Sequence, residues 1–314
     1  MISRRLLRIK ILQILYAHFN AVDPGLVKAE KELTFSIKKA YDLYFYLFLL
    51  IISVKRYAES RIDLARNKRL PTYEDLHPNT RFIDNSVISQ IEQNQSFNQY
   101  LSENKMSWVN YPELVKNLYL KLIDSSYYKA YMESPTNSYA DDKDLIMDFY
   151  IHELEDYDLF YQIIEEQSIF WNDDIEFVVS MVVKTIKGMQ EDKNSRLLPL
   201  YKSEDDREFA KFLLHTTIVN YGKYKDMIEK YVDNWDIERV ALIDNLIMQM
   251  AINEMIEFPS IPIKVTFDEY LELAKYYSTS KSSVFINGLL DKISADLIKE
   301  GKITKTGRGL ITES

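Results

Sequence analysis

The chain has 314 residues, 46% of them apolar, and its 39 Lys and Arg against 48 Asp and Glu give a net charge of −9. That length buries an ample core in one large or two small domains. The charge excludes a protein that coats nucleic acid indiscriminately, though not a local basic site. With no cysteine, disulfides and thiolate metal sites are excluded and a reducing cytoplasm is the fitting compartment.

Only 7 Gly and 8 Pro, with few β-branched alternations, predict an all-α chain. The N-terminus opens with Arg4 and Arg5 but lacks an apolar stretch ending in a small-residue cleavage site, so no signal peptide is expected. Ser3 can cap a first helix whose Leu6, Ile9, Leu12, Leu15, Tyr16 and Phe19 are strongly apolar. At 3.6 residues per turn, Arg4, Arg5 and Arg8 fall within an arc of about 100°. No acidic residue precedes Asp23, so this is a basic island in an acidic protein. It reads either as a solvated cationic face or as a phosphate-binding edge, where guanidinium forks and helix-end amides favour anions.

From Val27 to about Arg66 the pattern suits one long helix or two separated by a kink. Its run Leu43 to Ile52 is uninterruptedly apolar, but ten residues are half of the roughly 20 that span a bilayer. A buried helix at the centre of a bundle is the better reading. Asn67 to Pro78 is a polar connection, Arg81 to Ser107 reads as loop or short helix, and Glu113 to Met132 is amphipathic. Two later blocks look alike, 142–186 and 205–248. Aligning Trp171 on Trp235 brings Ile164-Glu165 onto Ile228-Glu229, and one extra residue then brings Ile175-Glu176 onto Ile237-Glu238. This is the pattern of a degenerate repeat of a helical unit, or of two helix pairs that share a Trp by chance.

Pro259 and Pro262 punctuate the entry to a helix carrying Val265, Leu271, Leu273, Ala274 and Tyr277. A polar break, Ser278 to Ser283, is expected to end it, with the next helix starting at about Val284 and presenting Phe285, Leu289 and Ile293. Gly288 inside that helix costs about 1 kcal/mol relative to alanine, which predicts close packing or close backbone approach there.

Chemistry-bearing motifs are missing. There is no GxxxxGK, GxGxxG or GxSxG, and His18, His77, His152 and His215 are scattered without ligand spacing. His152 with Glu153 and Glu155 reads as an exposed helix patch. No catalytic constellation, cofactor or metal is expected.

The C-terminal stretch resembles the signature of the NusB transcription antitermination family. The family's I-P-Y-K-V, E-x-x-E-L-A-K and F-V-N-G-V-L-D-K-I appear as Ile261-Pro262-Ile263-Lys264-Val265, Glu269 to Lys275, and Phe285 to Ile293. The family's R-R-x-x-R and Q-x-L-Y opening is matched by Arg4-Arg5, Arg8, Gln13, Leu15 and Tyr16. Its W-x-x-E-R, D-R-x-x-L-R and Y-E-L pieces are matched by Trp235, Glu238-Arg239, Asp244 and Asn253-Glu254-Met255. The chain departs at Asn245 and Gln249, where the family is usually basic. It also departs at Val284, where the family has a Lys before the Phe, although Lys281 lies three residues upstream.

The resemblance covers residues 1 to about 20 and about 203 to 296. It implies NusB-like paired helical bundles with an inserted helical region: 1–66 as N-terminal helices, 67–202 as the insertion and 203–298 as the C-terminal region. Residues 299–314, basic and glycine-bearing, are expected to be disordered.

By the same resemblance the protein is a non-enzymatic, cytoplasmic RNA-binding factor. Its partners would be boxA-type ribosomal leader RNA, the ribosomal protein NusE and the RNA polymerase antitermination complex, with no membrane. RNA cytosine methyltransferases with a NusB-like domain are excluded, because they need catalytic cysteines. Phosphate contacts then fall to Arg4, Arg5, Arg8 and Lys281. Phe285 is a base-stacking or a core residue. Tyr16 and Asp244 occupy positions tied to the protein partner, or are a core tyrosine and a helix-surface acid. The competing reading is a helical protein-interaction scaffold in which the insertion and the 23 tyrosines supply the function.

Overall fold

Helix follows helix in the computed structural model, which describes residues 1–191, 193, 196–232 and 241–310. The first eight are α1 (Arg4–Asn20), α2 (Leu26–Arg66), α3 (Tyr73–Leu76), α4 (Ser86–Glu92), α5 (Gln95–Asn104), α6 (Pro112–Asp124), α7 (Ser126–Glu133) and α8 (Tyr139–Asp148). A π-helical turn, Phe149–Glu153, leads to α9 (Asp158–Gln167), α10 (Ile175–Gly188), α11 (Glu204–Val219), α12 (Tyr221–Glu229), α13 (Leu242–Glu257), α14 (Ile263–Tyr277) and α15 (Ser280–Lys299). Among the described residues the only extended pairing is one parallel bridge, Ile2 to Tyr201. The expected all-α class is what forms.

Small polar residues set many of the boundaries, because their oxygens accept the orphan amides of a first turn. Asn85 accepts from the amides of Val87 and Ile88, Asn94 from Phe97 and Ser125 from Tyr128. The Asn- and Ser-rich stretch 81–107 therefore contains two helices. In the break expected at Ser278 to Ser283, only Ser278 and Thr279 are non-helical. Thr279 is the N-cap position of α15, so that helix starts four residues before Val284.

The chain divides into two contact units, one of Met1 and Lys38–Leu200, the other of Ile2–Ile37 and Tyr201 to the C-terminal end. The expected boundary at 66/67 is thus moved inside α2, which is a single unbroken helix. The cause is the apolar run Leu43 to Ile52, all of it buried, whose cover comes from residues after 80. Trp108 stacks on Tyr46 at 3.8 Å and donates its Nε1 hydrogen to the Tyr46 carbonyl, Tyr150 donates to the Leu47 carbonyl, and Tyr44 bonds Thr185. Among the described residues no helix is long and apolar enough to cross a membrane. The π-turn directs Glu153 inward, where it accepts from Tyr127 at 2.7 Å and pairs with Lys121, while His152 stays outside. The expected exposed patch is therefore only partly exposed. No group of three metal-ligating side chains occurs among the described residues. Of the repeat alignment, Trp235 and Ile237-Glu238 lie outside the described residues, as does the Glu238-Arg239 match.

The second unit is built around α13, buried on every side from Asp244 to Met255. Such a helix satisfies most of its polar side chains internally, with Asp244 Oδ1 and Gln249 Oε1 left without a hydrogen bond to a described residue. Asn253 donates to the Leu213 carbonyl and to the hydroxyls of Thr216 and Thr217, and accepts from Tyr224, which ties α13 to α11 and α12. Gln249 donates to Asn245 at 2.6 Å within the helix. Glu254, fully buried, accepts four hydrogen bonds: Arg8 Nη2 and Thr266 on Oε1, Arg8 Nε and Tyr270 on Oε2. Both Arg8 contacts are 2.8 Å. Burial pulls the Arg8 pKa down, but the charge and hydrogen bonds of Glu254 outweigh it and hold it above the ordinary arginine value.

Two sequence expectations are corrected in this unit. Gly288 meets nothing: a Cβ built there has open space around it. The segment after α15 is not disordered through residue 310. Ile303 and Gly309 are buried, Thr306 donates to the Pro259 carbonyl, Lys305 Nζ to the Phe258 carbonyl, and 307–310 form a 3-10 turn. The physical reason is that these donors reach carbonyls just beyond α13: Thr306 that of Pro259, and Lys305 that of Phe258, which also accepts the Ile261 amide. The tail's basic, glycine-bearing composition gives no sign of this docking.

Removing one partner of a buried charge pair strands the other, at a cost of about 3–5 kcal/mol. Arg8→Ala is expected to lower the stability of this unit by about that much in urea unfolding. At position 309, a Cβ would run into the Pro259 carbonyl oxygen. Gly309→Ala should release the tail, read as faster proteolysis between 302 and 310. Burial lowers the Lys305 pKa to about 8, below the roughly 10.4 of an unfolded chain. Between those values the released tail binds the extra proton, so docking strengthens as pH rises from 8 toward 10. Amide exchange of 303–310, corrected for intrinsic rates, measures it.

Candidate nucleic-acid interface

The basic island at the start of α1 is three arginines with three different fates. Ser3 caps the helix, its Oγ accepting the Leu6 amide at 3.2 Å. The first turn carries no acid of its own, and acids arrive from other helices. Arg8 is the buried partner of Glu254, and only 2% of it reaches solvent. The expectation that Arg8 contacts phosphate is therefore corrected: its fork is filled and no ligand reaches it.

Arg4 and Arg5 remain at the surface and are held in place by carboxylates. Arg4 Nε donates to Asp206 at 2.8 Å, and its guanidinium lies over the Phe209 ring at 5.0 Å. Arg5 donates from Nε and Nη2 to the two oxygens of Glu269, both at 3.0 Å. These bonds come first among the causes that raise the Arg5 pKa. Glu269 also touches Arg8 at 3.5 Å, so the exposed and the buried arginine share one acid. Two of the five guanidinium hydrogens of Arg5 are used, and the side chain is 52% exposed, which leaves an oriented edge for an anion.

Arg5 lines a groove of about 460 Å³ together with Asp268, Leu271, Glu272 and Lys275 of α14 and Ser283, Val284 and Asn287 of α15. Lys275 is exposed and tethered to Glu272. Val284 stands 75% in solvent. The N-terminus of α15 carries no acid in its first turn, and its orphan amides favour negative charge. Guanidinium, ammonium, amide and an exposed aliphatic surface thus share one concavity with the carboxylates of Asp268 and Glu272.

Of the other expected residues, Lys281 is exposed in the first turn of α15 and Phe285 is half-buried one turn later. Tyr16 is exposed on α1, two turns beyond Arg8. Asp244 is not a surface acid: it is buried in the first turn of α13, where the helix dipole favours its charge. Sequence reasoning missed Lys275, Ser283 and Asn287 as groove residues. Lys275 and Asn287 lay within the quoted motifs, but nothing in their spacing shows that two helices separated by Ser278-Thr279 bring them opposite Arg5.

A model of the NusB family matches residues 175–295. The chain is 43% identical over 114 residues to the transcription antitermination protein NusB of Salinibacter ruber, covering 36% of this chain and 71% of that protein. It is 40% identical over 101 residues to the NusB of Thermodesulfovibrio yellowstonii, covering 32% and 67%. With the NusB of Chloroherpeton thalassium the identity is 39% over 105 residues, covering 33% of this chain and half of the relative. No solved structure matches. The shared motifs and these identities place the chain in the NusB family, as an enlarged member.

Proposed function

We propose that the protein is an RNA-binding transcription antitermination factor that acts on boxA-type ribosomal leader RNA together with ribosomal protein NusE, in the cytoplasm and without catalysis. The observation that carries this reading is the groove between Arg5, α14 and the first turns of α15, where Arg5 and Lys275, each held by a carboxylate, line one concavity with Ser283, Val284 and Asn287. Single-stranded RNA is held by such means: phosphates on guanidinium and amide donors, bases against exposed apolar or aromatic side chains. Phosphates would sit at Arg4, Arg5, Lys275 and Lys281, and a base would lie against Val284 or Phe285. Glu269 and Asp206 serve as positioning residues that aim the two arginines. Tyr16 is the exposed candidate for the NusE contact, after which the complex joins RNA polymerase. The relatives, all transcription antitermination proteins by name, support antitermination as the process.

Binding of a boxA-type leader RNA and of a scrambled RNA, followed by fluorescence anisotropy across salt concentrations with and without NusE, tests this. The leader RNA should bind more tightly, and NusE should strengthen it. In Arg4→Ala/Arg5→Ala the slope of log affinity against log salt should shrink by about 0.7 per lost contact. Equal affinity for leader and scrambled RNA under both conditions would overturn the proposal and leave a NusB-shaped protein scaffold.

A further inference from the structure

Between Lys38 and Leu200 the chain carries 26 acids against 18 cations. One end of that unit reverses the sign. From Arg61 to His77 there are four cations, Arg61, Arg66, Lys68 and Arg69, against three acids, Asp63, Glu74 and Asp75, the last of them paired with Lys68. Arg61, Arg66 and Arg69 are exposed and make no ion pair with any described residue. Of the other arginines described in this half, Arg56 bonds Glu92 and Arg81 pairs with Asp141, whereas Arg196 is exposed without an ion pair to a described residue. A helix C-terminus accounts for a cation in its last turn, which here is Arg66. It does not account for Arg61 a turn earlier or for Arg69 beyond the helix.

The segment that carries these arginines is folded back on itself. Asn67 and Lys68 continue the last turn of α2 through the carbonyls of Asp63 and Ala65. Lys68 Nζ then reaches Asp75 at 2.8 Å, and Asp75 also accepts the Thr72 amide in a capping box that starts α3. The clip pairs Asp75 with Lys68 and closes a short loop that carries Arg69 between Arg66 and Tyr73 in the chain. Tyr73 stands 73% in solvent, and its ring stacks on His77 with centroids 4.3 Å apart. Leu70 beside it is 86% exposed. Unpaired arginines followed by a solvent-facing aromatic stack form the composition that single-stranded nucleic acid uses, phosphates on the cations and a base on the ring. A membrane surface fits less well, because helix end, loop and a single turn of helix offer no continuous amphipathic face.

We propose that the end of α2, the loop after it and the Tyr73–His77 stack form a second single-stranded RNA contact, carried by the inserted unit. It takes RNA that flanks the element bound at the first groove, so it rests on the RNA-binding reading above. Asp75 and Lys68 position the loop, while Arg61, Arg66 and Arg69 touch phosphate.

The experiment uses the full chain and two RNAs, the short leader element alone and the same element extended on both sides. Wild type is compared with Arg61→Glu/Arg66→Glu/Arg69→Glu and with Tyr73→Ala, all surface changes. On the extended RNA the triple variant should reduce the salt slope by about 2, matching three lost single-strand contacts. Tyr73→Ala should weaken binding about tenfold, as expected for a lost base stack. Both variants should match wild type on the short RNA. If wild type binds neither RNA, the reading of the first groove has failed. If wild type binds both and the triple variant keeps its slope on the extended RNA, the second contact is overturned while the first stands. The patch would then face a protein.

Discussion

The bidentate pair between Arg8 and Glu254 is the constraint on which the second unit depends. It is dry, it uses both oxygens of the acid, and Thr266 and Tyr270 fill the remaining acceptor sites. Three helices, α1, α13 and α14, are thereby fixed by one carboxylate. A buried pair of this kind adds little net stability over a well-packed apolar substitute, but it allows one register and no other. Sliding α1 by one residue would bury Arg8 without its partner. The surface arginines inherit that register, since Arg4 and Arg5 sit a turn before Arg8 on the same helix.

Geometry at the interface follows from the same cluster. Glu269 accepts two bonds from Arg5 and stands 3.5 Å from Arg8, so the exposed fork is oriented by an acid that the buried pair holds in place. In water a free arginine side chain samples many rotamers, and ordering it on a ligand costs free energy. A guanidinium held by a carboxylate has lost that freedom before the ligand arrives. The net effect is a basic edge built inside a protein of charge −9, with acids used as its scaffold.

Much of the fold was legible because helical periodicity and capping residues are local signals. The run Leu43 to Ile52 announced a buried helix, and Arg4, Arg5, the IPIKV piece and the Asn-Gly piece announced a family. What sequence could not show was pairing across distance. Arg8 and Glu254 were each noticed, one as a phosphate ligand and the other as part of a tripeptide ending a helix, and nothing local joins residues 246 apart. The boundary within α2 was hidden because the helix continues through it without a proline or glycine. The tail misled for the opposite reason: its composition is that of a solvated segment, yet its donors reach the carbonyls of Phe258 and Pro259.

The separation of Arg8 from Glu254 also sets an order of events during synthesis. At about 5–20 residues per second, α1 leaves the ribosome roughly 10–50 s before its partner acid is made. A helix of 17 residues on its own is marginal in water. The span from Lys38 to Leu200, in contrast, carries its own core and is complete long before Glu254 appears. Once it has folded, the two ends of the interrupted unit are no longer separated by a floppy chain, so the entropy of closing them falls. In the nascent protein the insertion can order first, and the unit that holds the Arg8–Glu254 pair is the last to close.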